Sequence, residues 1–393
     1  MVAATENNIV IVGGGLAGLA CSLGIAKIGF HVDIIESRAT WLQKGSAFGL
    51  AANARKALKE LFHDPGSMDK MISKGILVQG MDSYLMVWGN VRDGLLEEVA
   101  KCPNISIHMG KTISSFDDVS NKSKIEVVVK DVEDETKVEK LDAVLLIAAD
   151  GVYSSTRTML DLESSKFATV TKWRGALTIP NGSILEHFLD KGVTPLRMDD
   201  STKGMTSGDC VLSIFNFHPK VERKMTFVMN AHFVDFPNGT HPREIFFEHM
   251  KDPFHRSILE EIFKCADDQE IHWPLAQAVI QLPDDGTNGW GGKGRVTLIG
   301  DAAHAMRPAS GLGGAMAFED SVVLCRLLKD KGSLLETRDG ADVLVREFES
   351  SRFERVKRIW DNQWEISERA YKKGDNAPGM MTQEFRKWVQ NGV

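Results

Sequence analysis

Three short clusters carry the residue types from which a binding site for a large anionic ligand is built. The first is Gly13-Gly-Gly15-Leu16-Ala17-Gly18, which reads G-x-G-x-x-G. In such a run the first glycine permits a tight turn, the second lets backbone approach a pyrophosphate, and the third lets the following helix pack on the preceding strand. Free N–H groups at the helix start then face the phosphates. The second cluster is Asp150-Gly151, followed by the Ser/Thr-rich Ser154-Ser-Thr-Arg157. The third is Gly300-Asp301-Ala-Ala-His304-Ala-Met-Arg-Pro308, continued by Gly311-Leu-Gly313-Gly314-Ala315 and the acidic pair Glu319-Asp320.

Each cluster needs a strand behind it, and the sequence supplies one. Ile9–Val12, Leu141–Ala148 (apolar but for Asp142) and Val296–Ile299 are runs of the kind buried on both faces of a parallel sheet. Leu19 to Ile28 has helical character and stops at Gly29, a good C-terminal stop; Phe30–Ile35 then reads as a second strand closed by Glu36. Glu36 lies 23 residues beyond Gly13, close to the spacing of about 20 for the ribose-binding acid of a dinucleotide unit. Its charge would repel a 2′-phosphate, so FAD or NAD fits better than NADP. Plainer readings stand beside these. Asp150 and Asp301 each fit a helix N-cap at a strand-to-helix turn. The apolar stretch Ile9 to Phe30 is long enough to raise a membrane span, but its glycines divide it into strand and helix halves.

Composition narrows the class. The chain has 393 residues, with 43% hydrophobic and 26% charged residues, which suits a globular protein and excludes disorder, collagen and coiled coil as its overall character. A net charge of −7 without a long basic run argues against nucleic-acid binding. Cys21, Cys102, Cys210, Cys265 and Cys325 are odd in number and widely spaced, which fits a reducing compartment, cytoplasm or organelle interior, rather than a disulfide framework. The first eight residues carry no signal-peptide pattern. His241, His249 and His255 lack metal-binding spacing, so no metal is expected. No G-x-S-x-G elbow is present.

The three clusters, in this order and approximate spacing, resemble those of the FAD-dependent aromatic-hydroxylase type, or class A, of flavoprotein monooxygenase. The likeness is greatest to the zeaxanthin-epoxidase and salicylate-hydroxylase branch, and it covers about residues 8–180 and 270–360. The resemblance implies an α/β fold: a Rossmann-like FAD-binding domain interrupted by a mainly antiparallel substrate sheet, with helices at the C-terminus. The implied division is FAD-domain segments at 1–75, 91–165 and 286–334, a substrate-side segment at 76–90, the substrate domain at 166–285 and terminal helices at 335–393.

By the same resemblance Gly13, Gly15, Leu16, Ala17 and Gly18 hold the FAD pyrophosphate. Glu36 takes the adenosine ribose, with Ser37 and Arg38 near the adenine end. Arg92 contacts the FAD linker, and Asp150-Gly151 serves both FAD and NAD(P)H. Gly300-Asp301 holds the ribityl chain, Pro308 sits beside the flavin face, and Gly311, Gly313, Gly314 and Ala315 follow the pyrimidine edge. His304 is a structural part of its motif. The implied reaction uses NADH or NADPH and O2 to hydroxylate or epoxidise a small aromatic or alkene-containing substrate through a flavin hydroperoxide. An FAD oxidoreductase without oxygen insertion, and a flavin-binding protein with little turnover, are the alternatives. No W-x-W-x-I-P halogenase signature occurs, and no second G-x-G-x-x-G follows an apolar strand-like run and opens a helix.

Two departures from the family pattern bear on this. The usual Gln and Asn side chains are absent from Gly311–Ala315, leaving backbone donors there. Gly75 to Arg92 reads as too short for the customary substrate-side hairpin, which predicts a more open pocket. In the middle region, Val211–Phe217 and Lys224–Ala231 alternate and predict an antiparallel pair, with Val211, Phe215 and Phe217 on one face and Met225, Phe227 and Met229 on the matching face. Arg174 offers a cation for an acidic substrate, with a surface salt bridge as the plainer role. Trp360, Trp364, Phe385 and Trp388 are expected to pack the terminal helices on the body.

Overall fold

The computed structural model describes residues 7–41, 47–78, 82–118, 123–189, 193–197, 210–215, 223–231, 247, 252–286, 289–307, 311–372 and 381–392. The chain opens with β1 (Asn8–Val12), α1 (Leu16–Lys27), β2 (His31–Glu36), β3 (Ala47–Ala51), α2 (Ala52–Leu61) and α3 (Pro65–Ile72). It continues with β4 (Ile76–Val78), β5 (Ser83–Val87), α4 (Trp88–Val99), β6 (Ile105–Met109), β7 (Lys111–Asp117), β8 (Ile125–Asp131), β9 (Val138–Ala143), β10 (Leu145–Ala148) and α5 (Ser155–Met159). Then come β11 (Lys166–Thr178), β12 (Val193–Arg197), β13 (Cys210–Phe215), β14 (Lys224–Ala231), α6 (Pro253–Cys265) and β15 (Ala266–Val279). The last elements are β16 (Val296–Leu298), α7 (Asp301–His304), α8 (Gly313–Lys331), α9 (Arg338–Lys372) and α10 (Gln383–Gln390).

A parallel sheet of order β16-β10-β1-β2-β6 forms the centre. Its inner strands, β10 and β1 from Ile9 onward, are apolar and buried along their length because both faces are covered. Ile9, Ile11, Ile34, Leu145, Ile147 and Leu298 face Leu19 and Leu23 of α1 and Phe318 of α8. The alternate residues Val10, Val12, Ile35, Leu146 and Val296 pack with Ile113, Ile125, Val127 and Val129 of the antiparallel sheet β7-β8-β9. The register is the feature that matters for the site. Val12 lies opposite both Ile35 and Ala148, and Ala148 lies opposite Leu298. Strands from distant parts of the sequence therefore reach their carboxyl ends in one row. The chain departs from β1 toward β2 on one side while β10 lies on the other, which opens a crevice at a topological switch point.

The second large sheet is antiparallel, of order β12-β13-β14-β11-β15, and has its own apolar cluster. Ile214, Met225 and Phe227 are buried there with Ile258, Leu259 and Ile262 of α6. The β13–β14 pair forms as the alternation predicts, but one residue out of the expected facing. Ile214 pairs with Phe227 and Leu212 with Met229, while Val211 and Phe215 pair with Asn230 and Thr226. Alternation fixes the two faces of each strand and leaves cross-strand register to the turn between them. Phe217 lies outside the described residues. Arg174 pairs through its backbone with Val228 and His272.

The hairpin that looked too short is present. β4 and β5 pair antiparallel, Ile76 with Leu85 and Val78 with Ser83. β3 pairs along β5 and completes a small sheet. The third strand comes from before α2, where a sequence reading confined to Gly75–Arg92 does not look. At the C-terminus, Trp360 is buried and stacks on Trp364 with centroids 5.4 Å apart. Arg355 and Arg358 lie over Trp388. Among the described residues no helix is long and apolar enough to cross a membrane.

The turn after β1 admits only glycine at its last position. A Cβ on Gly18 would lie 2.0 Å from the Gly13 carbonyl oxygen, a backbone atom that cannot swing away. Nothing lies within 4 Å of a Cβ on Gly15. Gly18→Ala is expected to lower apoprotein stability by at least about 1–3 kcal/mol in urea unfolding, and Gly15→Ala to change it by less than about 0.5 kcal/mol. Equal losses would contradict the packing described.

Candidate cofactor site at the strand ends

The row of strand ends brings the three glycine-acid clusters together. Gly13 turns with φ of 101° and donates its N–H to Ile35 O at 2.8 Å. Its ideal Cβ would meet Ala149 O at 2.4 Å, so the first cluster lies against the second. Gly15 is the extended N-cap of α1 and no side chain caps that helix end. The first N–H groups of α1 therefore remain available to a ligand. Leu16 turns into the core, leaving only backbone for a ligand. Ala17 Cβ is 3.0 Å from an ideal Cβ on Gly300, which joins the first cluster to the third.

Glu36 is buried at the end of β2 and accepts from Gly14 N at 2.8 Å and Arg38 N at 2.9 Å. Each oxygen keeps a second lone pair for a ribose hydroxyl. Ser37 is exposed, and the Arg38 side chain, 57% exposed, lies 3.6 Å from Glu36. The sequence reading missed Trp41. Its indole covers Gly14: an ideal Cβ there would be 2.8 Å from Trp41 Cη2 and 3.1 Å from Glu36 Oε2.

The N-cap of α5 is Ser154 rather than Asp150, but Asp150 supports the same turn: its Oδ2 accepts from Thr156 N at 3.2 Å and Thr156 Oγ1 at 3.1 Å. Its Oδ1 is buried without a partner. Gly151 adopts a φ of 80°. Arg157 is buried and donates to Ala302 O at 3.1 Å, tying the second cluster to the third. Burial holds its guanidinium below its usual range, opposed by Glu349, Glu163 and Asp150. At the start of α4, Arg92 is buried and engages Asp93, while its Nη1 has no partner.

Gly300 turns with φ of 59° and is itself the N-cap of α7, so Asp301 is not a capping residue. Asp301 opens to solvent at the crevice, yet the surrounding protein pushes its carboxyl upward, with His304 opposing. Gly313 is its neighbour: an ideal Cβ there would lie 3.9 Å from Asp301 Oδ1. Gly311 adopts φ of 71° beside Gly49 of β3, and Gly314 and Ala315 belong to the uncapped first turn of α8. Pro308 lies outside the described residues.

Behind this turn lies a buried ionic cluster. Asp320 accepts from Gly300 N at 3.0 Å, His304 Nε2 at 2.7 Å and Arg352 Nε at 2.9 Å. Burial raises its pKa, but His304, Arg352 and these hydrogen bonds outweigh it and hold the carboxyl below its usual range. Glu319 accepts from Asn53, Arg352 and Arg355. His304 is thus structural, as its motif implies. The Arg352 and Arg355 partners, on α9, were invisible to motif reading. So was Glu349, fully buried on the same helix, whose carboxyl is pushed up to about 7 chiefly by burial, against the hydrogen bonds it accepts.

Among the described residues no group of His, Cys, Asp or Glu could hold a metal. His255 approaches Asp252 at 3.6 Å, and His241 and His249 lie outside the described residues.

Asp301→Ala is expected to weaken cofactor binding at least about tenfold while leaving apoprotein stability nearly unchanged. Asp320→Ala should cost about 3–5 kcal/mol of fold stability by leaving Arg352 Nε, His304 Nε2 and the Gly300 N–H without their buried acceptor; denaturation and binding titrations separate the two. For Glu349, the folded pKa near 7 exceeds the ordinary value of 4.5. The stabilisation by its proton is complete below about pH 4.5 and fades as pH rises through about 7. Over that window the wild type should lose about 3 kcal/mol relative to Glu349→Gln, measured by unfolding against pH. Parallel pH profiles would contradict the assignment.

An elongated dinucleotide suits what the crevice presents: open space at Gly15, an uncapped helix start, and the orphaned Arg92 Nη1 and Asp150 Oδ1. The family model for the FAD binding domain matches residues 89–363, more than half of the chain. A protein of Aspergillus terreus named FAD-dependent monooxygenase is 24% identical, with 88% of this chain and 84% of the relative covered. The solved structure of CtdE in complex with FAD and a substrate superposes with a TM-score of 0.75 at 16% identity, covering 98% of this chain and 95% of that one. HpxO of Klebsiella pneumoniae, complexed with FAD and uric acid, superposes with a TM-score of 0.70 at 17% identity, covering 99% and 94%. The chain belongs to the FAD binding domain family, and FAD is its cofactor.

Proposed function

We propose that this protein is a single-component FAD-dependent monooxygenase, using NADH or NADPH and O2 to hydroxylate or epoxidise a small aromatic or alkene-containing molecule. The observation that carries the reading is the shared row of strand ends, which puts Gly13, Glu36, Asp150 and Asp301 along one crevice. The names of its relatives support the reaction class. Within that class the motif pattern favours the zeaxanthin-epoxidase and salicylate-hydroxylase branch.

In this reading Gly13, Gly15 and the start of α1, including the Leu16, Ala17 and Gly18 backbone, bind the pyrophosphate. Glu36 holds the adenosine ribose, with Ser37 and Arg38 at the adenine end. Arg92 and Asp150-Gly151 take the linker, and Gly300-Asp301 the ribityl chain. Pro308 borders the ring face. The first turn of α8 presents backbone N–H groups from Gly313, Gly314 and Ala315 along the pyrimidine edge, where a helix start favours negative charge. Those donors replace the missing Gln and Asn side chains. When bound, FAD supplies the redox chemistry, accepting reducing equivalents from NAD(P)H and activating O2.

The protein's own part is orientation and exclusion of water. The β3-β5-β4 sheet lies beside Gly311 through Gly49 and is placed to shield that end of the crevice. The antiparallel β11–β15 sheet would form the substrate side. Besides Gly13–Gly18 only Gly289–Gly294 matches G-x-G-x-x-G, and it leads into β16 rather than a helix, so the nicotinamide cofactor docks transiently on the FAD domain rather than in a Rossmann unit of its own.

The purified protein should be yellow, bleach with NAD(P)H and recover in air. With a substrate that accelerates NAD(P)H consumption, product formed under labelled O2 should carry one labelled oxygen atom. Label-free product would favour an oxidoreductase without oxygen insertion, and colourless protein that FAD cannot reconstitute would defeat the reading altogether.

A further inference from the structure

Glu349 lies outside every sequence motif, on α9, yet its carboxylate is shared among four donors from the chain just before the third cluster. Oε2 accepts from Trp290 N at 3.0 Å and Gly291 N at 3.1 Å. Gly292 N is shared between Oε1 and Oε2 at 3.1 Å, and Thr297 Oγ1 donates to Oε1 at 2.9 Å. The approach is so close that side chains are excluded: an ideal Cβ on Gly292 would lie 2.2 Å from Oε1, and one on Gly289 would lie 2.3 Å from Glu349 Cβ. This accounts for glycines near the third cluster that the cofactor reading leaves unused.

The turn that Glu349 holds carries Trp290, and Trp290 touches both flanks of the Gly300–Asp301 turn. Its indole Nε1 donates to Leu298 O at 3.0 Å, at the end of β16. Its ring meets His304, at the end of α7, edge-on with centroids 5.3 Å apart. Asp301 lies between these two contacts in sequence. Glu349, Trp290, Thr297, Leu298 and His304 are all buried, so small displacements pass along the packed chain of contacts to the turn that carries Asp301.

We propose that Glu349 is a positioning residue for Asp301: it fixes the Trp290–Gly292 turn, which clamps both flanks of the Gly300–Asp301 turn and thereby sets the affinity for FAD. The proposal rests on the cofactor reading above. Glutamine can serve in part, because its carbonyl accepts from the three N–H groups while its amide donates to Thr297, whose hydroxyl reverses role. Leucine strands all four donors.

The test is a double-mutant cycle on FAD affinity, with hydrogen exchange of residues 298–304 followed in the apoprotein. Glu349→Leu should weaken FAD roughly 10–100-fold, the range found when a supporting partner behind a ligand is removed, and should speed exchange in 298–304. Glu349→Gln should stay within about threefold. In an Asp301→Ala background Glu349→Leu should change affinity less than about twofold, because the residue it acts through is gone. Additive losses in the double variant, or unchanged exchange with weakened binding, would overturn the proposal. If Glu349→Leu does not fold, Glu349→Gln combined with Thr297→Val takes its place, with the same expected loss of affinity and the same dependence on Asp301. Wild-type apoprotein that binds no FAD would overturn the cofactor reading and this proposal with it. Tight FAD binding with no response to any Glu349 variant overturns this proposal alone.

Discussion

The backbone register of the central parallel sheet is the constraint on which the rest depends. Val12 opposite Ile35 and Ala148, and Ala148 opposite Leu298, place the ends of strands from distant parts of the sequence on one line. A slip of one residue in any of them would exchange the side chains it gives to the two packed faces and carry its motif out of the row. The register is held by burial on both sides, by helices on one face and the β7-β8-β9 sheet on the other. The site is thus a consequence of how the core packs, with the glycines allowing each turn to close against its neighbour.

A second layer of control comes from α9. Its Arg352 and Arg355 enter a buried cluster with Glu319 and Asp320 of α8, and Asp320 in turn bonds the Gly300 N–H. Such a cluster is weak evidence of net stability, since removing charges from water costs about as much as their attraction returns. Its geometry nevertheless makes each member depend on the others, because an unpartnered charge in that interior is costly. Arg355 also donates to Val389 O, which links α10 to the same cluster. The terminal helices are therefore part of the support of the cofactor site.

The sequence made the local units legible and left the long-range ones hidden. Ile9–Val12, the glycine run and Glu36 follow one another within a short span, so strand, turn and acid could be read in order. Gly300-Asp301 was legible in the same way. The facing of β13 on β14 was off by one residue, because alternation says nothing of cross-strand register. The hairpin before Arg92 seemed abbreviated because β3 joins it from beyond two helices. Trp41 over Gly14, and Arg352 and Glu349 behind Asp301, sit on ordinary-looking segments whose partners only the fold supplies. Read alone, α9 is a charged helix with no motif to mark it.

The most direct test of the central claim is an experimental structure of the protein with FAD bound. The account predicts the pyrophosphate at Gly15 and the start of α1, the adenosine ribose on Glu36, the ribityl chain on Asp301 and the ring beside Gly311–Ala315. FAD bound elsewhere, or bound here with its pyrophosphate away from Gly15 and its ribityl chain away from Asp301, would contradict it.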